Sequence, residues 1–137
     1  EVYHTDSNLG WIKLKAVILA AGQSSRFKPL SDNRHKGLTE VLGKPIIEHT
    51  IEELNKIGAD EVIIIQGPDR RFEQGLDVEA DFIVQESPEG MGHALRQAEH
   101  LLDDRFLVLN PYHATSSHII EDLIAKSERG STDLGFV

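Results

Sequence analysis

The segment Lys15–Pro45 begins as a short apolar run and then breaks into a polar loop. The run, Ala16–Leu19, has the length and composition of a buried strand. Gly22 lets backbone N–H groups approach a ligand closely, since glycine adopts a positive φ at little cost. Arg26 and Lys36 then supply two cations. A buried strand that ends in a small-residue loop with two cations predicts a cradle for phosphate groups.

Further strands and helices are predicted to alternate along the rest of the chain. The predicted strands are 62–65, 82–84 and 106–109, and the predicted helices begin at Pro45, near residue 70, at Met91 and at Ser116 or Ser117, with Gly58 and Gly130 as ends of the first and last. This alternation predicts an α/β fold with a Rossmann-like, doubly wound and mostly parallel sheet. Ligands of such sheets bind beyond the carboxyl ends of the strands.

Composition narrows the class of protein. The 137 residues suit one domain with a single moderate core. The absence of cysteine excludes a disulfide framework and a thiolate zinc site. A net charge of −9 argues against a general nucleic-acid binder, which normally carries a basic face. The apolar runs are too short to span a bilayer and no signal-peptide pattern is present, so a cytoplasmic protein without membrane contact is expected.

Several short segments of the chain together form one motif, in which the spacing between residues is fixed. They read LAAGQSSRFKPLS at residues 19–31, lysine at 36, GKPIIEH at 43–49, glutamine at 85, EGMGHAL at 89–95 and FLVLN at 106–110. Together they closely resemble the signature of the sugar-phosphate nucleotidyltransferases. The resemblance extends to glucose-1-phosphate thymidylyl- and uridylyltransferases and to the N-terminal domain of N-acetylglucosamine-1-phosphate uridylyltransferases.

The resemblance implies a reaction between a nucleoside triphosphate and a sugar 1-phosphate. The sugar phosphate would attack the α-phosphate, giving a nucleotide sugar and pyrophosphate with Mg²⁺ as cofactor. Residues 14–137 would form the nucleotidyltransferase-like domain, incomplete at its C-terminus because the sugar-binding elements of the family lie further along. Residues 1–13 are interpreted as an extension, native or appended. Such transfers depend mostly on positioning and charge neutralisation.

The resemblance also assigns roles to individual residues. Arg26 and Lys36 would be the catalytic cations that hold the triphosphate, the first as a planar fork of donors and the second as a point charge. The nucleotide would contact Leu19, Ala21, Gly22, Gln23, Ser24 and Ser25 on one side and Gln85, Gly90 and Met91 on the other. Gln85 would read the base, because an amide offers both a donor and an acceptor. Met91 and the apolar residues after it are expected in the core.

The sequence departs from the family pattern where the metal is bound. The family has Gly-Asp after the fourth strand, and this chain has Pro111 and Tyr112. A phenol is a poor ligand for Mg²⁺, which prefers anionic oxygens, and His113 favours softer metals. Asp103 and Asp104 are expected at the opposite end of the strand. The metal ligand therefore stays unassigned.

Other functions remain open at this point. The chain could be a catalytically weak or inactive nucleotide-binding module, or an inert fragment whose sheet edge pairs with a second copy. Transfer to a non-sugar phosphate such as phosphocholine is a related alternative. The histidines at 35, 49, 100 and 118 are not spaced as a metal pair and are expected at the surface or satisfied by neighbours. His93 is expected to cap or pack.

Overall fold

The computed structural model describes residues 14–22, 35–59, 61–112 and 117–128. Its strands are β1 (Lys15–Leu19), β2 (Glu40–Val41), β3 (Lys44–Pro45), β4 (Glu61–Gln66), β5 (Asp81–Val84) and β6 (Phe106–Leu109). Its helices are α1 (Ile46–Lys56), α2 (Arg71–Gly75), α3 (Met91–Gln97) and α4 (Ser117–Glu128), with short 3-10 turns at Lys36–Leu38 and Glu99–Leu101.

The main sheet is parallel and has the strand order β5-β4-β1-β6. Strand β1 lies inside it, with Ala16 opposite Val62 on one side and Leu107 on the other. Strand β4 is β-branched along most of its length and buried from Val62 to Gln66, as expected for a strand covered on both faces. The predicted doubly wound α/β fold is confirmed.

Helices cover both faces of this sheet. Helices α1, α2 and α4 pack with Ala16 and Ile18 on one face, and α3 packs with Val17 on the other. The chain places β4 and β5 on one side of β1 and then crosses to the opposite side for β6. Because such crossovers are right-handed, this reversal puts α3 on the other face. The reversal also creates a switch point between β1 and β6, where doubly wound sheets bind ligands.

A two-stranded hairpin, β2–β3, precedes α1 and was not predicted. Leu42 and Gly43 form its turn with φ values of 52° and 83°, the pair of positive angles that suits a tight hairpin. Pro45 pairs with Glu40 and keeps an extended ψ of 140°. The expectation that Pro45 is the first helical residue was therefore wrong, and α1 begins at Ile46. Gly58, with φ 81°, follows the helix end as predicted.

The helix predicted to begin at Met91 is shorter than the apolar spacing over residues 91–102 suggested. It ends at Gln97 and tightens into the 3-10 turn Glu99–Leu101. None of the helices in the described ranges is long and apolar enough to cross a membrane. Strands β5 and β6 form the outer edges of the sheet within these ranges. Pairing of a second copy at an edge stays a prediction.

Candidate functional site

A cavity of about 590 Å³ lies beyond the carboxyl ends of β1, β5 and β6. Its lining comes from the three loops that follow these strands, from the start of α3 and from the 3-10 turn at residue 36. The lining residues are Leu19, Ala21, Gly22, His35, Lys36, Gln85, Pro88, Gly90, Met91, Ala94, Asn110, Pro111 and Tyr112. The cavity therefore occupies the switch point between β1 and β6.

The end of β1 forms one wall of this cavity. The Ala20 N–H donates to the Ile65 carbonyl at 2.8 Å and extends the pairing with β4 by one residue. Gly22 follows, and a Cβ atom added there would meet no heavy atom of the described residues within 4 Å. Open space beside a glycine at this edge leaves room for a ligand to approach the backbone.

His35 joins the end of β1 to the 3-10 turn. Its Nε2–H donates to the Gly22 carbonyl at 2.6 Å, and its Nδ1 accepts from the Gly37 N–H at 3.1 Å. These two bonds require the neutral ring with its proton on Nε2. Burial lowers the pKa of His35, partly opposed by the Gly22 carbonyl. The ring is therefore neutral near pH 7, and the expectation that its hydrogen bonds are satisfied is confirmed.

Lys36 reaches the opposite wall of the cavity. Its Nζ lies 4.2 Å from the centre of the Tyr112 ring, a distance typical of a cation–π contact. Gly37 fixes the backbone beside it, because a Cβ at this position would lie 3.0 Å from both the Phe72 ring and Pro111. The close packing of Gly37 thus determines where the ammonium group is presented.

Gln85 sits at the end of β5 and is only 4% exposed. Its backbone N–H donates to the Gln66 carbonyl at 2.8 Å. Its Nε2 donates to the Gly90 carbonyl at 3.3 Å and to His93 Nδ1 at 2.9 Å. Since an amide NH₂ has two hydrogens, these contacts use its full donor capacity. His93 therefore packs against and orients Gln85, in agreement with the expectation that it packs.

Met91 begins α3 and does not join the core. It is 69% exposed and lines the cavity, whereas Ala94 and Ala98 on the same helix are buried. The expectation that Met91 is a core residue was wrong, because its place in the first turn of α3 puts it at the rim, beyond the sheet. Its assignment to the nucleotide remains a prediction that its position permits.

Buried contacts hold the loop after β6 in place. Pro111 is fully buried, and its carbonyl accepts a hydrogen bond from Thr50 Oγ1 at 3.1 Å. Thr50 belongs to α1 and is itself completely buried. Tyr112 follows with 40% of its surface exposed. The loop therefore holds a fixed position and presents a phenol ring to the cavity.

The described residues do not fit a magnesium ion. No aspartate or glutamate is among the described residues that line the cavity, and no cluster of three acidic or histidine residues suited to a metal occurs in the described ranges. Asp103, one of the two aspartates that precede β6, pairs with Lys15 at 3.1 Å at the amino end of β1. Mg²⁺ needs hard oxygen ligands, normally including a carboxylate, and the described lining of the cavity supplies no carboxylate.

The structure brings together most of the sequence-predicted site. Those that line the cavity are Leu19, Ala21, Gly22, Lys36, Gln85, Gly90, Met91 and Tyr112. Others lie outside the described residues, namely Gln23, Ser24, Ser25, Arg26 and His113. Sequence reasoning did not assign His35 or Asn110 to the site. Their positions in the sequence could have indicated that they line the cavity, because His35 directly precedes the motif lysine and Asn110 directly follows a strand.

Residues 16–132 match the family model described as MobA-like NTP transferase domain. The chain is 27% identical over 133 residues to the UTP--glucose-1-phosphate uridylyltransferase AglF of Haloferax volcanii, covering 90% of this chain and 53% of that protein. It is 36% identical over 115 residues to the bifunctional protein GlmU of Methanococcus vannielii, covering 80% of this chain and 27% of that protein. The chain thus spans about half or less of the length of these relatives.

Solved structures show the same fold. A UDP-glucose pyrophosphorylase complexed with UDP-glucose superposes with a TM-score of 0.70 at 21% identity, over 85% of this chain and 55% of that one. A UDP-glucose pyrophosphorylase from Acinetobacter baumanii gives a TM-score of 0.66, also at 21% identity, over 85% of this chain and 54% of that one. The superposed part of the chain therefore has the nucleotide-diphospho-sugar transferase fold.

Proposed function

The chain belongs to the MobA-like NTP transferase domain family, and on that premise we propose that its cavity binds a nucleoside triphosphate for nucleotidyl transfer to a sugar 1-phosphate. An oxygen of the sugar phosphate attacks the α-phosphorus, the bond from that phosphorus to the β-phosphate oxygen breaks, and pyrophosphate leaves. One observation carries the proposal. Residues that the motif assigns to the nucleotide follow two strands far apart in sequence, β1 and β5, and line one cavity together with Lys36.

The cavity suits a nucleotide in size and in the distribution of polar groups. Its volume of about 590 Å³ lies within the usual range for small-molecule sites. Gln85 and Gly90 lie on one side and Lys36 on another. We place the base near Gln85 and the phosphates near Lys36 and Gly22, where a cation and open backbone can neutralise and contact phosphate oxygens.

The hydrogen bonds of Gln85 favour one class of base. Because its Nε2 donates to Gly90 and His93, its Oε1 is the part of the amide left to meet a ligand. A carbonyl oxygen accepts from a ring N–H such as those of uracil, thymine and guanine. Cytosine and adenine present a bare ring nitrogen at the equivalent position. We therefore propose that UTP binds more tightly than CTP, which differs from it in this edge of the base.

A nucleotide-binding module without transfer activity is the second candidate. The observation that favours it is Tyr112, which stands where the family resemblance places an acidic metal ligand and which contacts Lys36 instead. Under this alternative the cavity retains the nucleotide and the transfer step is weak or absent. The identity of the sugar, a cofactor role for Mg²⁺ and a cytoplasmic location also stand as proposals for the whole protein.

A paired binding and turnover experiment tests the proposal. Calorimetry measures binding of UTP, CTP, ATP and GTP, and pyrophosphate release is measured with each triphosphate and a panel of sugar 1-phosphates. Lys36→Ala is expected to weaken UTP binding about tenfold, because it removes a charged phosphate contact. Lys44→Ala is the matched control, since Lys44 pairs with Glu52 and does not line the cavity.

The outcomes separate the candidates. Binding together with pyrophosphate release supports the transferase, and binding alone supports the binding module. Absence of binding by all four triphosphates contradicts both. Equal weakening by Lys36→Ala and Lys44→Ala would mean that general surface charge, rather than the cavity, attracts the nucleotide.

A further inference from the structure

The cavity has a cationic group and lacks an anionic one among its described lining residues. Lys36 supplies the cation, and neither aspartate nor glutamate lies in the described part of the lining. His35 adds no charge near pH 7, because burial lowers its pKa and its two hydrogen bonds require the neutral ring. The described wall therefore carries a cation and offers a divalent cation no carboxylate.

The cation lies beside the residue that stands at the metal position of the family motif. Lys36 Nζ is 4.2 Å from the centre of the Tyr112 ring. The ring face carries partial negative charge and holds the ammonium group without neutralising it. A phosphate oxygen can therefore still form a charge-assisted hydrogen bond with the same Nζ.

Packing beneath the pair gives it a defined geometry. Pro111, next to Tyr112, is buried and is held by Thr50 Oγ1 at 3.1 Å. Gly37, next to Lys36, packs so closely on Pro111 that an added Cβ would lie 3.0 Å from the proline Cβ. The two backbone segments that carry Lys36 and Tyr112 are thus in direct contact, and the ammonium–ring pair follows from that contact.

We propose that the cavity binds the nucleoside triphosphate as its metal-free anion, and that the Lys36 ammonium group over the Tyr112 ring takes the place of a divalent cation. The inference rests on the proposed function, namely that this cavity holds a triphosphate, and it concerns binding rather than the transfer step. Mg²⁺ cancels two of the charges of the triphosphate. The magnesium complex is therefore the weaker ligand for a cationic wall without carboxylates.

Calorimetry with the whole chain and UTP tests this inference. The dissociation constant is measured in EDTA and again in excess Mg²⁺ at matched ionic strength. We expect UTP to bind about two- to tenfold more weakly in Mg²⁺, the range expected when a partly exposed ion pair loses charge on one partner. Tighter binding in Mg²⁺ would overturn the inference.

Two variants at one position isolate the effect of the missing carboxylate. Tyr112→Asp supplies an anionic oxygen at the motif position and is expected to reverse the response, so that Mg²⁺ now tightens UTP binding. Tyr112→Asn is the matched control, since it also removes the ring but adds no charge, and it is expected to gain no magnesium enhancement. Circular dichroism of both variants establishes that they are folded.

The results distinguish a failure of this inference from a failure of the proposed function on which it rests. Identical magnesium responses of Tyr112→Asp and Tyr112→Asn would show that residue 112 does not stand at the metal position, and would overturn the inference while UTP binding stands. Failure of the parent chain to bind UTP in either buffer would overturn the proposed function and, with it, the inference.

Discussion

The loop at residues 85–90 and the loop at residues 110–112 border the same cavity from either side of β1, and the fold supports both firmly. Gln85 is held by Gly90 and His93, and Pro111 is held by Thr50. The first loop offers a polar amide that keeps the family motif. The second offers a proline and a phenol where the motif has glycine and aspartate. Firm support from the fold is thus independent of the residue types that each loop presents to the cavity.

Replacing Gln85 should show the difference between the two loops most clearly. Gln85→Leu removes the two hydrogen bonds that the amide makes to the Gly90 carbonyl and to His93 Nδ1 and should lower the free energy of unfolding by about 2 kcal/mol. The proposed preference for UTP over CTP should disappear. Urea denaturation and calorimetry measure the two effects.

Gln97→Leu is the matched control for this change. Gln97 contacts the far nitrogen of His93 at 3.2 Å but does not line the cavity, so the preference for UTP should persist. Loss of the preference in both variants would assign base recognition to the position of His93 rather than to the Gln85 amide.

Gly37→Ala should disturb the loop at residues 110–112 and leave the loop at 85–90 in place. The new Cβ would lie 3.0 Å from Phe72 and from Pro111, and overpacking of this kind should cost about 1–2 kcal/mol. Thermal unfolding measures the loss. Gly75→Ala serves as control, because its Cβ would find its nearest neighbour, Leu38, at an ordinary 3.7 Å. Equal stability of Gly37→Ala and the parent would show that the site relaxes easily.

Thr50→Val removes the hydrogen bond beneath the same loop and keeps the side-chain shape. Loss of the donor to the Pro111 carbonyl should cost about 1 kcal/mol, measured by urea denaturation, with the proposed preference for UTP over CTP unchanged. Thr50→Ser retains the hydroxyl and should lose less. If the serine variant is the less stable of the two, packing of the methyl group matters more than the hydrogen bond.

The smallest expected effect concerns His35 and pH. Burial lowers its pKa in the folded chain, so the unfolded chain takes up the proton first as pH falls. The contribution of the neutral ring to stability is therefore complete above about pH 6.5, the pKa of a free histidine, and is lost as pH falls from there toward the folded pKa. The parent should lose more stability than His35→Gln between about pH 7.5 and 5.5 in urea titrations. Parallel curves would contradict this.

Much of the fold was predictable because it rests on local patterns. The β-branched run at residues 62–65 and the apolar run at residues 16–19 each indicated a buried strand, and both are strands of the central sheet. The hairpin β2–β3 was not predictable, because two-residue strands have no measurable period and Leu42 is not a residue type that signals a positive φ. Its pairing also moved the start of α1 past Pro45.

The lining of the cavity was predictable where a motif fixed residue types, as at Lys36 and Gln85. It was not predictable where position depends on contacts across the fold. The hydrogen bonds of His35 to Gly22 and Gly37 and the contact of Tyr112 with Lys36 join segments distant in the chain or depend on ring orientation. Met91 was misjudged because helical spacing identifies a face but does not tell which turn extends beyond the sheet.

The hydrogen bond from His35 to the Gly22 carbonyl affects the entropic cost of changing the chain length between these two residues. It joins residues thirteen positions apart and so closes the segment between them at both ends. Once loop ends are fixed by the scaffold, doubling the loop length costs only about 0.6 kcal/mol. Segments of other lengths should therefore graft between Gly22 and His35 at little cost to the stability of the sheet.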